Sequence, residues 1–521
     1  MNSKRTPKYD VFISYATENK RLAKRLFESL RSHDLSVWFD DFVLEAGDSL
    51  LDEIDRGLSQ STCGILLIGP AYLRRHWTEH EMGILFSQYV QKRKTIIPIW
   101  HGVTKDRKDE VEARYPGLDD VCALKSSDGI PELTARILSA ISKQSVVELP
   151  ELVEDAVRSS LGLKPDEAIR VAHLIGLDKI ALRYEHIEEN DLASLKEMPR
   201  LHTLDLGGTN VTDASLGHLT SLPELQELYL WETRITAKGL KLLASLRYLE
   251  VLNLAHVAQA AVGLLPHVAK LTRLRDLDLW HTNVTDDILR HLRQMTSLQR
   301  LNVGESPGVT DYGLKHLTGL NKLRRLNLAR TKVLGDGFVH LKGLNELREL
   351  NLLDTGVGNE ALEHIEALKS LQSLNLEGTL VTGSGLEYVG RLADMRWLYL
   401  SRASIEDDGL QHLQGLSKLQ VLDLSGTQVT SQGLRYLESL TVLHHLDMAN
   451  SCVTGDGLAG LARLGGLRRL VLSGDQVTPE GVSHLRQLGQ LTRLDVVGVK
   501  PGDSSVIELR RALRVQVDTP S

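Results

Sequence analysis

The sequence predicts an α/β protein in two parts: a doubly wound domain on a five-stranded parallel sheet over residues 1–145, then a solenoid over 177–521. Three observations carry that prediction. Apolar strand-like runs alternate with helical stretches through the first part. A leucine pattern returns at a fixed interval through the second. At 521 residues the chain also exceeds one ordinary core, so several domains or a repeat array are required.

In the first part, Y-D-V-F-I-S-Y (9–15) predicts a strand, followed by a helix from Asn19 to about Ser32. S-V-W-F-D (36–40) predicts a second strand, and D-S-L-L-D-E-I-D-R-G-L a second helix. The nearly all-apolar C-G-I-L-L-I-G (63–69) suits a strand covered on both faces. T-I-I-P-I-W (95–100) and D-V-C-A-L (120–124) predict two more strands, and I-P-E-L-T-A-R-I-L-S-A-I a closing helix. Such domains take ligands at the carboxyl ends of their strands. Here those ends carry Ser14–Tyr15–Ala16–Thr17, Asp40–Asp41, Gly69–Pro70 and Trp100–His101. Gly47 suits a sharp turn in the long loop after the second strand. Neither a P-loop nor a dinucleotide glycine fingerprint occurs.

W-T-E-H-E (77–81) opens a predicted helix whose buried stripe is Thr78, Met82, Leu85, Phe86 and Tyr89. Trp77 and Glu81, four residues apart, are neighbours on one edge of that stripe, and Glu79 falls on the other edge. Geometry alone leaves Glu81 open between a solvated or capping carboxylate and a chemical group.

Residues 146–176 have helical periodicity, with Pro165–Asp166–Glu167 as a first turn, and are expected to join the parts and cap the first repeat. From there L-x-x-L-x-L-x-x-T-x-V-T-x-x-G-L-x-x-L-x-x-L recurs every 24 residues, as at Leu201, Leu225 and Leu249. About fourteen units result, counting a degenerate first one at Leu177, Ile180 and Leu182. This is the pattern of a leucine-rich repeat horseshoe. L-x-L marks a short strand with one buried face, Thr or Asp before G-L an N-cap, and L-x-x-L-x-x-L a convex helix. The recurrent threonines, Thr209, Thr233, Thr282, Thr331, Thr355, Thr379 and Thr427, are expected to form a hydroxyl ladder in the turn. The tail after Val506 leaves the pattern and is expected to cover the last repeat.

Positions three, five and seven of each unit face outward on the concave side, the usual contact surface of solenoids. Tyr229, Trp231, Asp278, Trp280, Arg300, Arg325, Trp397 and Tyr399 stand there, and exposed tryptophan points to a protein ligand. Against this stands a bland reading, in which the aromatics only lie along a solvated sheet and the arginines pair with neighbouring acids.

The net charge of −7, with 25% charged residues, excludes a global attraction to nucleic acid or to an anionic membrane. No apolar run reaches the roughly 20 residues of a membrane span. Cys63, Cys122 and Cys452 form no C-x-x-C pair, so no metal site is predicted and the thiols read as buried apolar groups in a reducing, cytoplasmic setting.

Residues 9–143 resemble a Toll/interleukin-1 receptor (TIR) domain, through Y-D-V-F-I-S-Y, V-W-F-D-D…L-E-A-G-D-S and W-x-x-x-E at 77–81 in combination. The resemblance implies a flavodoxin-like five-stranded sheet. In NAD-cleaving TIR domains the glutamate four residues after the helix tryptophan is catalytic, which implies Glu81 here. Trp77 would lie beside the substrate and Gly47 in a mobile loop, with Tyr15, Ala16, Thr17 and Asp40 completing the pocket. NAD+ would be the substrate, with no cofactor, and ADP-ribose or a cyclic variant the product. With the repeats, the chain resembles Toll-like receptors without a membrane span and plant receptors without a nucleotide-binding module. That implies an intracellular innate-immune sensor of the bacterial, antiphage type, in which a ligand on the repeats drives TIR self-association. Two other classes stand beside it: a non-enzymatic TIR adaptor, and an effector subverting a host's TIR signalling.

Overall fold

The computed structural model describes residues 9–33, 35–39, 43–44, 57, 60–70, 96–103, 124–125, 129–144, 147–257, 267–500, 502–513 and 515–519. Two compact units emerge, residues 1–148 with 164–176, and residues 149–163 with 177–521. The connector expected as one piece thus divides. Its helix Glu151–Leu161 belongs with the repeats, and its helix Val171–Ile175 with the N-terminal unit.

The N-terminal unit is a parallel sheet of β1 (Tyr9–Ala16), β2 (Val37–Trp38), β3 (Val43–Leu44), β4 (Ser61–Ile68), β5 (Ile96–Trp100) and β6 (Leu124–Lys125). The order is β2-β1-β4-β5-β6, with β3 also paired to β1. In β1 the six residues Val11–Ala16 are buried in succession, which requires cover on both faces. On one face Val11, Ile13 and Tyr15 pack with Leu26 and Leu30 of α1 (Lys20–Arg31) and with Leu133 and Ile137 of α2 (Ile130–Gln144). On the other, Phe12 is seated where Cβ atoms on Gly57 and Gly64 would come within 2.8 and 2.5 Å of its ring. β3 is a correction, because Val43–Leu44 was expected in the loop. β2 spends its pairing on Val11 and Phe12, which leaves Tyr15 and Ala16 free to pair with Val43 and Leu44.

The second unit is a parallel sheet of 15 strands in chain order, from Lys179–Ala181 to Gln516–Asp518. Corresponding leucines lie side by side, as in Leu228, Leu252 and Leu277. Most strands are three residues with only the middle one buried, so one sheet face is packed and the other open. After most of these strands the chain turns through a left-handed residue. It is Gly at 208, 378 and 426, but Glu232, His281, Glu305, Arg330, Asp354 and Arg402 hold φ of 50–59° in the same place. The threonine that follows donates its hydroxyl to the carbonyl three residues back, at 2.6–2.7 Å from Thr209 to Thr427. That is the expected hydroxyl ladder.

Three details depart from expectation. Many convex segments are 3₁₀ rather than α-helical, among them Asp336–Leu341, Asp407–Gly415 and Gly433–Leu437. A 3₁₀ turn spans more length per residue, which suits a repeat this short. The tail does more than cover the last repeat, since Gln516–Asp518 adds a strand beside Arg493–Asp495. Cys63 is buried, and burial pushes its thiol up to about 12, but Cys452 is exposed, against the expectation for all three thiols. Cys122 lies outside the described residues.

Candidate functional site

The carboxyl ends of the N-terminal strands are described in part. Tyr15 and Ala16 are wholly buried. The Tyr15 ring stacks on Phe39 at 5.2 Å and faces the core, so at the strand end Thr17, which is exposed and begins a 3₁₀ turn, presents the accessible side chain. Asn19 beneath it donates to the Leu67 carbonyl at 3.4 Å. Gly69 is needed at its place, because a Cβ there would lie 2.8 Å from the Asn19 amide and 3.3 Å from the His101 carbonyl. Glu81, Trp77, Asp40 and Gly47 lie outside the described residues.

On the open face of the repeat sheet a cleft of about 450 Å³ crosses the strands from Asp276–Asp278 to Trp397–Tyr399. Alternation along each strand makes it polar. Leu301, Leu326 and Leu350 point into the core, while the residues on either side of each point out. At position three Arg300 pairs with Asp276 at 2.8 Å and Arg325 with Glu349 at 2.9 Å. At position five Asn302, Asn327, Asn351 and Asn375 run in register. Burial raises the Asp276 and Asp278 carboxyls above the usual carboxylate range, opposed at Asp276 by Arg300 and at Asp278 by the Trp280 amide. Burial also raises the Tyr399 hydroxyl at the far end of the cleft.

The cleft therefore gathers Asp278, Arg300, Arg325 and Tyr399, but not Tyr229, Trp231, Trp280 or Trp397. The tryptophans are a correction, since all three are half-buried rather than exposed. Trp231 lies over Gly207, where a Cβ would be 1.9 Å from the indole, and meets the Tyr184 ring edge-on at 5.1 Å. Trp280 lies likewise over Gly304, at 2.3 Å from such a Cβ. The Tyr229 hydroxyl donates to Glu227 at 3.2 Å, and burial with Glu227 pushes it up to about 12. Arginines that pair with acids agree with the bland reading of those side chains. What sequence reasoning passes over is the asparagine row, legible as L-N-V or L-N-L at 301–303, 326–328, 350–352 and 374–376.

Beside the cleft, on the left-handed turn residues, an ion ladder joins Glu305, Arg330, Asp354 and Arg402, and the His281 ring shares a hydrogen bond with Glu305 at 2.9 Å. Arg402 reaches Asp354 two repeats away because Gly378 stands between them, where a Cβ would be 2.3 Å from the Asp354 carboxylate. Among the described residues no helix is long and apolar enough to cross a membrane, and no group of three or more His, Cys, Asp or Glu could hold a metal.

Comparison with known proteins places both halves. Residues 11–123 match the family model described as "TIR domain", and 415–437 that described as "Leucine Rich repeat". Over 123 residues the chain is 42% identical to a 2′ cyclic ADP-D-ribose synthase of Bacteroides thetaiotaomicron, which covers 23% of this chain and 42% of the relative. It is 36% identical over 139 residues to an NAD(+) hydrolase of a Theionarchaea archaeon (26% of this chain, 41% of the relative). A 2′ cyclic ADP-D-ribose synthase of Acinetobacter baumannii is 36% identical over 137 residues, or 26% of this chain and 50% of the relative. The chain thus spans half or less of the length of these curated relatives. An internalin from Listeria monocytogenes superposes with a TM-score of 0.52 at 22% identity, covering 66% of this chain and 94% of that one, a likeness of fold.

Proposed function

We propose that this chain, a TIR domain joined to leucine-rich repeats, is a cytoplasmic sensor that cleaves NAD+ when a ligand on the repeats brings its TIR domains together. The observation that carries the reading is the 36–42% identity of the N-terminal unit to proteins named as NAD(+) hydrolases and 2′ cyclic ADP-D-ribose synthases.

Glu81 is the residue assigned to the chemistry. When the bond from ribose to nicotinamide breaks, its electron pair goes to the ring nitrogen, and nicotinamide leaves as a neutral base. Positive charge develops on the sugar instead. A carboxylate holding the ribose hydroxyls stabilises that charge without donating a proton, and a fixed carboxylate in a dry cleft does so without reorganising. Trp77 offers a flat wall for stacking. Water, or a hydroxyl of the second ribose, then adds its oxygen to the cation and releases its proton to solvent, giving ADP-ribose or a cyclic product. Asp40, Gly47 and Thr17 complete the pocket, with the buried Ala16 and Tyr15 supporting it from the core side. The assignment extends to a role in bacterial, antiphage defence, in which NAD+ is consumed or converted to a signal.

The test incubates purified full-length chain with NAD+, dilute and clustered on a multivalent support, and follows nicotinamide by chromatography. Release that rises steeply on clustering is the expected result. Intact NAD+ under both conditions would favour a non-enzymatic adaptor.

A further inference from the structure

We infer that the cleft on the repeat sheet takes an uncharged, polyhydroxylated ligand, an oligosaccharide, held by the unspent amide donors of Asn327, Asn351 and Asn375. The inference deepens the reading above, in which the repeats are the ligand-binding half. It replaces the protein ligand expected from the aromatic residues.

The asparagines set the chemistry. Each Oδ1 accepts the backbone N–H two residues on: Ala329 at 3.0 Å from Asn327, Leu353 at 3.1 Å from Asn351, and Glu377 at 2.9 Å from Asn375. That bond fixes which end of the amide faces the turn and leaves the NH2 group for the cleft. Among the described residues these three NH2 groups make no further hydrogen bond, whereas the Asn302 amide supports the Asp278 carboxylate. Adjacent strands set the donors about 4.8 Å apart, a regular column.

The surroundings exclude the other ligand classes in turn. An anion would meet Asp276, Asp278 and Glu349, and a cation would meet Arg300 and Arg325. Both guanidinium groups are already held by carboxylates, so charge is largely settled within the protein. An apolar side chain would find Leu301, Leu326 and Leu350 only 1–2% exposed, with no greasy wall to lie against. The cleft's volume of about 450 Å³ falls within the range of small-ligand sites. Sugar hydroxyls both donate and accept. They match the amide column, the carboxylate lone pairs left over on Asp276 and Glu349, and the Tyr399 ring that closes one end.

The experiment prints neutral, acidic and basic glycans as an array, probes it with the full-length chain, and titrates the best neutral glycan by calorimetry. Asn327→Asp, Asn351→Asp and Asn375→Asp are combined in one variant. Aspartate keeps the turn bond, as Asp423 and Asp447 do naturally at this position, while exchanging each NH2 donor for an acceptor oxygen that carries negative charge. Retention of a neutral glycan is expected, weakened at least about tenfold in the triple variant. Asn253→Asp, on the same column but outside the cleft, should leave affinity unchanged. If the triple variant melts early, Asn351→Asp alone serves as the comparison. Retention of acidic glycans only, of no glycan, or equal retention by the variants overturns the inference. Nicotinamide release from the same preparations separates the claims: cleavage without glycan binding sinks only the ligand, and glycan binding without cleavage sinks only the enzyme.

Discussion

Two parallel sheets in one chain show how cover decides where chemistry can sit. In the N-terminal sheet, Val11–Ala16 are buried in unbroken succession, so no side chain of that stretch of β1 reaches solvent. The proposed function accordingly falls to the strand ends, where Thr17 is exposed. In the repeat sheet the strand at Glu349–Asn351 buries only its central leucine, and its neighbours on either side line a cleft. In the proposed reading, the first arrangement draws its pocket from residues at different strand ends. The second offers a graded surface that one substitution per repeat can edit.

The comparison can be broken by mutation, starting with the largest expected effect. Phe12→Ala leaves a cavity over Gly57 and Gly64 and should cost about 3–5 kcal/mol. Hydrogen exchange should quicken in β1 while the strands of the repeats keep their protection, and equal loss in both units would break the two-unit account. Next comes Asp447, on the open face, whose carboxyl burial pushes up to about 6 from 3.8. Its folded value lies above its unfolded one, so the destabilisation it causes is absent below about pH 3.8 and complete above about pH 6. Asp447→Asn should therefore raise stability by about 1–2 kcal/mol at pH 8, after discounting for partial exposure, and by nothing near pH 3.5. Thermal melts at the two pH values test this, and equal shifts would refute it.

Two smaller changes sharpen the contrast within the repeats. Thr331→Val removes one rung of the hydroxyl ladder and leaves the Leu328 carbonyl with only the longer Thr331 amide contact, 3.3 Å. About 1 kcal/mol should be lost in urea unfolding, and no loss would mean that the ladder is ornamental. Arg402→Ala cuts the exposed ion ladder and should cost less than about 1 kcal/mol, vanishing in high salt. A larger, salt-independent loss would make the ladder structural.

The parts of the fold that were legible in the sequence are those set by local period. Leucines 24 apart dictate stacked strands, and the threonine after each strand could serve only the turn it sits in. What escaped depends on contacts between repeats. Trp231 and Trp280 read as exposed because the glycines beneath them, Gly207 and Gly304, stand 24 residues away in the neighbouring unit. The Asn327–Asn351–Asn375 column was visible as text, but its donor surplus follows only once each Oδ1 is seen to be spent on its own turn. Val43–Leu44 needed the free end of β1 to become a strand, and nothing near those residues announces it. For the N-terminal pocket, Tyr15 was legible as a strand-end residue, but its inward direction was not.

The central claim is that a single carboxylate in the TIR half breaks NAD+. Nicotinamide release by the clustered wild-type chain, set beside clustered Glu81→Gln with an unchanged circular dichroism spectrum, tests it most directly. The account predicts loss of at least about a hundredfold in the variant, the scale of removing a principal electrostatic stabiliser. Equal release from both proteins, or none from the wild type, would contradict it.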